Sequence, residues 1–406
     1  VFVFSGGVYA RSGWWKGNLH THSLWSDGAN YPETVVDWYK KNGYQFMALS
    51  DHNILSQGDK WIDVPKSGEK YEVFKKYAER YGKEWVEQKE TANTIQVRLK
   101  PLGEFRCLFE ESGKFLLIQA EEITGKKPKI HINAFNLLEP IQPAQGDNES
   151  QILQDDADAV QAQSRNYSQM MFAAVNHPNF YWTLAAEDIM KVGNLKFFEV
   201  YNGHPKVHNS GDFYHTSTER MWDIILTKRL ARLNLPVIYG IATDDAHKFH
   251  EFGPKFANPG RGWIMVRADY LTPESIIAAM NKGDFYASTG VLLKDVRFDG
   301  KKLKVAVDSQ IGVSYTIQFI GTLKGCDLNG KPVIDANGVA IHTTQTYNSD
   351  IGRILAEAKG TAAVYTCTGD EIYIRAKIIS SKLKRNASVN DEVEVAWTQP
   401  VIPNNK

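Results

Sequence analysis

Residues 18–28 read Asn-Leu-His-Thr-His-Ser-Leu-Trp-Ser-Asp-Gly, with His20 and His22 two apart and Asp27 five residues further on. Alternate side chains of a β-strand share a face, so a His-x-His pair at a strand end directs two imidazoles to one point. That is how a metal site begins. A lone pair of this kind more often sits in an ordinary polar turn. The bland reading fails because the pattern recurs: His52 ends Leu-Ser-Asp-His, Glu122 lies in Glu-Glu-Ile-Thr, His131 opens His-Ile-Asn, His177 stands in Asn-His-Pro, and Asp245 and His247 belong to Asp-Asp-Ala-His. Each borders an apolar run. Nine imidazoles and carboxylates brought to one cavity would be costly to desolvate without metal. Mixed donors of this type suit zinc, iron or manganese.

The elements that must position these groups alternate between strand and helix. Apolar runs at 45–52, 115–119, 131–135, 171–175, 197–202, 237–242 and 262–268 read as strands, each with polar residues at one end. Helices are expected from Pro32 to Gly43, across 147–169 and 217–234, and from the Thr272-Pro273-Glu274 cap to Gly283. Strands alternating with helices, with titratable residues at strand ends, predict an α/β fold: a β/α barrel carrying its site at one rim. Residues 56–112, rich in charge and aromatics with a helix expected around 69–90, read as an insertion over one face of this core. From about 291 the period drops to two. Leu303, Val305 and Val307, then Tyr315, Ile317 and Phe319, then Ile372, Ile374, Ala376 and Ile378 alternate with more polar neighbours, and Asp299-Gly300, Asn329-Gly330 and Asn337-Gly338 are turn signals. The expected organisation is an N-terminal segment (1–13), a barrel (14–290) and a small antiparallel β-sandwich-like domain (291–406).

The 406 residues carry 47 basic and 47 acidic side chains, so the formal charge is zero and partners held mainly through phosphate backbones are disfavoured. Cys107, Cys326 and Cys367 form no disulfide framework or zinc-thiolate motif, and free buried thiols are expected; a Cys326–Cys367 bridge is the alternative in an oxidising compartment. Residues 1–10, Val-Phe-Val-Phe-Ser-Gly-Gly-Val-Tyr-Ala, read equally as a first strand or as the end of a cleaved export signal, so export and cytoplasmic residence carry equal weight. No other run approaches the ~18 apolar residues of a membrane helix.

The ordered set His-Thr-His-Ser-Leu-Trp-Ser-Asp-Gly, Leu-Ser-Asp-His, Glu-Glu-Ile-Thr, His-Ile-Asn, Asn-His-Pro and Asp-Asp-Ala-His resembles the PHP (polymerase and histidinol phosphatase) superfamily of metal-dependent phosphoesterases over roughly residues 14–290. The resemblance implies a distorted seven-stranded β/α barrel and two to three divalent ions. It implies a first metal held by His20, His22, Glu122 and Asp245, a second by Glu122, His131 and His177, and a third by Asp27, His52 and His247. Glu122 rather than Glu121 takes the ligand role because an aliphatic residue, Ile123, follows it. Many members carry a histidine near the position of Asp27, so an oxygen donor there changes the character of the third site.

His20, His22, Asp245 and His247 are the residues expected to carry catalysis, by in-line attack of a metal-bound hydroxide on a phosphomonoester or phosphodiester. A small phosphorylated substrate is the expected partner. Asn202 and His204 are candidate substrate contacts, and Arg106, Lys126, Lys127 and Lys129 are candidates for reaching a phosphate. Asp51 and Asp244 are expected to orient imidazoles, and Arg261 to be structural and away from the active rim. Two other readings stay open. The same centre could hydrolyse an amide, lactone or glycoside, or the chain could be a glycan- or protein-binding module with a vestigial barrel.

Overall fold

The computed structural model describes residues 13–404, so the two readings of residues 1–10 lie outside the described residues. Strand β1 (Gly13–Asn18) leads through the His-x-His loop to α1 (Pro32–Lys41) and then β2 (Phe46–His52). Next come β3 (Lys60–Pro65), α2 (Glu69–Tyr81), β4 (Gln88–Glu90), β5 (Thr94–Leu99) and α3 (Leu102–Phe109). The middle of the chain supplies β6 (Leu116–Thr124), β7 (His131–Phe135), α4 (Glu149–Tyr167), β8 (Phe172–Val175), the single turn α5 (Ala186–Ile189) and β9 (Phe197–Asn202). There follow α6 (Thr218–Lys228), β10 (Tyr239–Thr243), β11 (Trp263–Ala268), α7 (Pro273–Asn281) and β12 (Phe285–Ser288). The last strands are β13 (Leu293–Phe298), β14 (Lys302–Val307), β15 (Tyr315–Leu323), β16 (Arg353–Lys359), β17 (Ala362–Thr366), β18 (Glu371–Leu383) and β19 (Val393–Thr398).

Two helices are shorter than their patterns predict. The segment expected to be helical over 69–90 stops at Tyr81, where Gly82 takes φ +79°, and 88–90 is a strand. The one expected over 217–234 is α-helical to Lys228 and π-helical over Arg229–Leu233.

One mixed sheet of thirteen strands organises the molecule, in the order β10-β9-β8-β7-β6-β2-β1-β11-β12-β19-β18-β15-β16. The pairs β1/β2, β2/β6, β8/β9 and β9/β10 are parallel. Strand β7 departs from the all-parallel pattern of a simple β/α alternation, running antiparallel to both β6 and β8. That reversal brings His131, the first residue of β7, level with Thr124 near the end of β6, so the start of one strand and the end of its neighbour meet at one rim. The run from β1 to β10 returns upon itself: Thr21 bridges Ala246, His22 N donates to Ala246 O, and Asp245 N donates to His20 O.

Side-chain parity divides each strand. Phe46 and Ala48 of β2, Leu116, Ile118 and Ala120 of β6, Phe135 of β7, Phe172 and Ala174 of β8, Phe197 of β9 and Ile241 of β10 share one buried cluster. Met47, Leu49 and Leu117 point the other way, into the cluster that receives Val35, Val36 and Tyr39 of α1. Continuing the inner series by steps of two along each strand reaches His52, Glu122, Glu199 and Thr243, and beyond β10 Asp245. The inner apolar residues thus form a plug on which the titratable groups sit.

The insertion makes its own sheet, in the order β3-β5-β4, and a cluster that includes Val64, Phe74, Tyr77 and Val97 together with Trp25 and Tyr31 from the His-x-His loop. Trp25 Nε1 also donates to Lys100 O, so the insertion grips that loop. At the other end of the chain, β12 pairs with β19, and the main sheet runs on without a break into the C-terminal strands. Leu303 and Val305 of β14, Ile317 and Phe319 of β15, and Ile374, Ala376 and Ile378 of β18 share a core. The alternation in β18 does not expose the intervening residues as period two predicts: Tyr373 and Arg375 are fully buried against α6, where Arg375 pairs with Asp223 at 2.7 Å and Glu219 at 3.1 Å. All three cysteines are free, and Cys107 is exposed rather than buried. Among the described residues no helix is long and apolar enough to cross a membrane.

Candidate metal centre

Glu122 occupies the middle of the centre. Its parity on β6 sends it inward, whereas Glu121 faces outward and accepts from Ile141 N at 2.5 Å. Around Glu122 lie His20 Nε2 at 3.4 Å from Oε1, His22 Nε2 at 3.4 Å from Oε2, His131 Nδ1 at 3.0 Å and His177 Nε2 at 3.2 Å from Oε1, and His52 Nδ1 at 2.8 Å from Oε2. Asp245 Oδ1 stands 3.4 Å from His20 Nε2 and 3.3 Å from His22 Nε2. On the solvent side, Asp27 Oδ1 is 3.3 Å from His247 Nε2, 3.6 Å from His52 Nε2 and 3.6 Å from His22 Nδ1. All nine sequence-predicted ligands therefore come together, eight of them buried or half-buried and Asp27 with its side chain 58% exposed.

The electrostatics follow from that crowding. Burial, reinforced by His247 and His52, pushes His22 down to about 3, so its ring is neutral and carries a lone pair. Burial opposes ionisation of Glu122, but His52, His20 and His131 outweigh it and hold the carboxylate well below its usual range. Asp27 is likewise held low by its hydrogen bonds from His247 and His52, against the effect of burial.

The donor set fits divalent ions. Nε2 of His20, Nε2 of His22 and Oε2 of Glu122 are buried without a hydrogen-bond partner, a state that costs on the order of 1–3 kcal/mol per group. Ligands about 2.1 Å from a tetrahedral ion stand about 3.4 Å from one another, which is the spacing among His20, His22, Glu122 and Asp245. The compact donor groups are His20/His22/Asp245, His20/Glu122/His177, His52/Glu122/His131 and His22/Asp27/His52/His247. This grouping differs from the expected second site: His131 and His177 both approach Glu122, but His131 associates with His52 and His177 with His20.

Several supporting residues were not singled out in the sequence, Asn176 and Thr124 among them although they stand within the Asn-His-Pro and Glu-Glu-Ile-Thr motifs. Glu199 of β9 accepts from His20 Nδ1 at 2.7 Å, from His177 N at 2.8 Å, from Asn202 Nδ2 at 2.8 Å and from Thr243 Oγ1 at 2.6 Å. With an ion on Nε2, the first of these bonds would keep the remaining proton of His20 on Nδ1 and the ring aimed at Glu122 and Asp245. A glutamate inside the apolar run Phe-Phe-Glu-Val-Tyr is the signal that could have found it. Asn176, beside His177, donates to Glu122 Oε1 at 2.8 Å, and Thr124 Oγ1 lies 2.6 Å from His52 Nδ1. Asp245 itself holds φ +50°, a left-handed backbone uncommon for aspartate, kept in place by its N–H bond to His20 O.

The remaining sequence candidates divide. Asn202 is fully buried and donates to Glu199 and, at 3.2 Å, to Asp245, so its amide positions ligands rather than facing a cavity. His204 lies 5.5 Å, ring to ring, from His247, and burial lowers it to about 4. Phe180, unremarked in the sequence, fills the space between the rings of His131, His177 and His204. Lys129 sits 4.1 Å from the ring of exposed Tyr181, and Lys126 and Lys127 are exposed on the same loop. Arg106 is placed elsewhere: it pairs with Glu110, which accepts from Leu117 N at the start of β6, five residues before Glu122. Asp51 and Asp244 do not touch ligand rings. Asp51 accepts from Ser23 N, Ser23 Oγ and Ser26 Oγ, bracing the His-x-His loop, and Asp244 accepts from Tyr39 and from the amides of Gly260, Arg261 and Gly262. Arg261 is structural, its guanidinium spent on the carbonyls of Asn386, Gly203 and Gly253. It lies toward the active rim all the same, because β11 runs antiparallel to β1.

No family model matches the chain. A 38-residue stretch is 50% identical to the DNA polymerase/3'-5' exonuclease PolX of Bacillus subtilis, and covers 9% of this chain and 7% of that protein's length. Among solved structures, it is similar to a two-domain protein containing a predicted PHP-like metal-dependent phosphoesterase from Bacteroides vulgatus, at TM-score 0.37 and 14% identity over 95% of both chains. A second structure, from Bifidobacterium adolescentis and named provisionally as a metal-dependent phosphoesterase, is similar at TM-score 0.29 and 13% identity over 58% of this chain and 88% of that one.

Proposed function

We propose that the chain is a metal-dependent phosphoesterase of the PHP type, a hydrolase of phosphomonoesters or phosphodiesters. The observation that carries this reading is the ring of imidazoles and carboxylates around Glu122, with three of its buried donor atoms left unpartnered. His20, His22, Glu122, His131, His177 and Asp245 would hold the inner ions of a centre of two to three, and Asp27, His52 and His247 the outermost. Divalent ions bound there would supply a nucleophilic water at neutral pH and neutralise charge on the phosphoryl oxygens. Glu199 and Asn202 keep the His20 and Asp245 donors aimed inward, and His204, beside His247, is the side chain assigned to substrate contact. The seven strands β1, β2 and β6–β10, whose ends meet at the Thr21–Ala246 bridge, are read as the distorted barrel. Residues 14–290 form its domain and 291–406 the sandwich-like appendage.

The test is a panel of phosphomonoesters and phosphodiesters, single-stranded DNA included because the short match is to an exonuclease, offered to protein loaded with Mn, Zn or Fe. The expected result is turnover of at least one ester by wild type and a loss of at least about 100-fold in His22→Ala. Amide, lactone and glycoside substrates run alongside. Turnover confined to those, or esters cleaved equally by His22→Ala, would refute the assignment.

A further inference from the structure

Away from the metal centre, a cavity of about 380 Å³ opens at the seam between α1, β1, β11 and the C-terminal residues 384–394. Lys16, Trp38, Tyr44, Trp263, Lys384 and Arg385 line it. Lys16 lies in β1, between β2 and β11 in the sheet. Its neighbour Gly17 faces the inner plug, where a Cβ would fall 2.1 Å from the Phe46 ring, so Lys16 faces outward into the seam. The Lys16 ammonium is set 3.8 Å from the centre of the Tyr44 ring and 4.1 Å from that of Trp263. Among the described residues it makes no hydrogen bond or ion pair through Nζ.

The acids nearby are already committed. Asp244 accepts four hydrogen bonds from Tyr39 and the 260–262 backbone. Glu394 is paired with Lys382 at 3.0 Å, and Lys384 with Glu392 at 3.0 Å. Arg385 is exposed and, among the described residues, unpaired. The Tyr44 hydroxyl and Trp263 Nε1 are buried with no hydrogen-bond partner. Two aromatic faces stabilise an ammonium partly, but they leave its N–H groups without acceptors. Burial accordingly lowers Lys16 to about 8, with Asp244 opposing. The seam therefore holds excess positive charge between flat apolar walls, at a volume typical of small-molecule sites.

We propose that this cavity is a second ligand site, for a small organic anion whose carboxylate or phosphate group meets Lys16 and Arg385 while its flat body packs against Trp38 and Trp263. The proposal is independent of the metal centre. The test is calorimetric titration of the full chain, in EDTA so that the proposed metal centre neither binds nor cleaves the ester, with 2-naphthoate and 2-naphthyl phosphate and with 2-naphthylmethanol as the neutral control. Saturable binding of at least one anion is expected, with the alcohol about tenfold weaker or more. Lys16→Met is expected to weaken the anion about tenfold, and the exposed Arg385→Gln about threefold, each a charge-assisted contact removed. The tighter of the two anions identifies the headgroup. Absence of saturable binding of both anions at millimolar concentration, or affinity unchanged in Arg385→Gln and in folded Lys16→Met, overturns the proposal; should Lys16→Met fail to fold, Arg385→Gln alone decides.

Discussion

Where a candidate ligand lies at a strand tip, as His52, Glu122 and His131 do, the neighbour on the opposite face has a different job. Glu121 and Glu122 illustrate it: the outward member caps an amide at Ile141, and the inward one meets five imidazoles. The residue whose importance the motifs least advertise is Glu199, which sets the tautomer of His20 and fixes the backbone of His177. Glu199→Gln keeps the shape but can present an amide N–H to His20 Nδ1. It is expected to lower metal affinity about 10- to 100-fold, measured by competition with a chromophoric chelator, while far-UV circular dichroism stays unchanged. Unaltered affinity would reduce Glu199 to a packing role. The convergence of the nine candidate ligands was legible in the sequence because metal ligation restricts residue type. Glu199 was not, and the roles of Asn176 and Thr124 were not although both stand inside the quoted motifs, because supporting hydrogen bonds are satisfied by many residue types.

The elements were predictable where a strong local signal coincided with tertiary need. Pro32 opens α1, and the Thr272 side chain caps α7 by accepting from Ser275 N. Helix α4 contains a buried carboxyl, Asp156, whose Oδ1 accepts from Ala144 N at 2.8 Å. Burial raises it from 3.8 to about 6. Between those values the folded chain holds a proton that the unfolded chain has released, so stability falls as pH rises through that window and levels off above it. Asp156→Asn keeps the acceptor and removes the ionisation. Its stability advantage over wild type is expected to grow between pH 4 and 6 to on the order of 2 kcal/mol and then stay flat, by urea denaturation. An advantage that is constant over pH 4–8 would contradict the account. What local pattern could not supply was the reversed direction of β7 or the burial of Tyr373 and Arg375 on β18, since both depend on which neighbour the strand meets.

At the scale of the molecule, two devices join segments distant in the chain. The buried Arg375 joins β18 to Asp223 and Glu219 of α6, and Arg375→Ala, which leaves buried Asp223 with the Tyr373 hydroxyl but no cation while Glu219 keeps Lys377, is expected to cost about 3 kcal/mol in urea denaturation. A loss below about 1 kcal/mol would mean that the network is solvated. The metal centre is the other device, because its ligands come from β2, β6, β7 and the loops after β1, β8 and β10. Chelation with EDTA is expected to lower Tm by about 5 °C or more, and Mn or Zn to restore it, since ions that bind only the folded chain stabilise it by mass action. A Tm indifferent to EDTA would argue against resident ions. By itself the sequence determined the ligand types, the alternation of strands and helices and the apolar faces, all of which are local consequences of side-chain chemistry and periodicity. Only the tertiary structure decided which glutamate faces inward, that Arg106 stands far from the centre, that Asn202 positions ligands, and that an unpaired lysine lies across the seam, because these follow from strand parity, direction and contacts between residues distant in the chain.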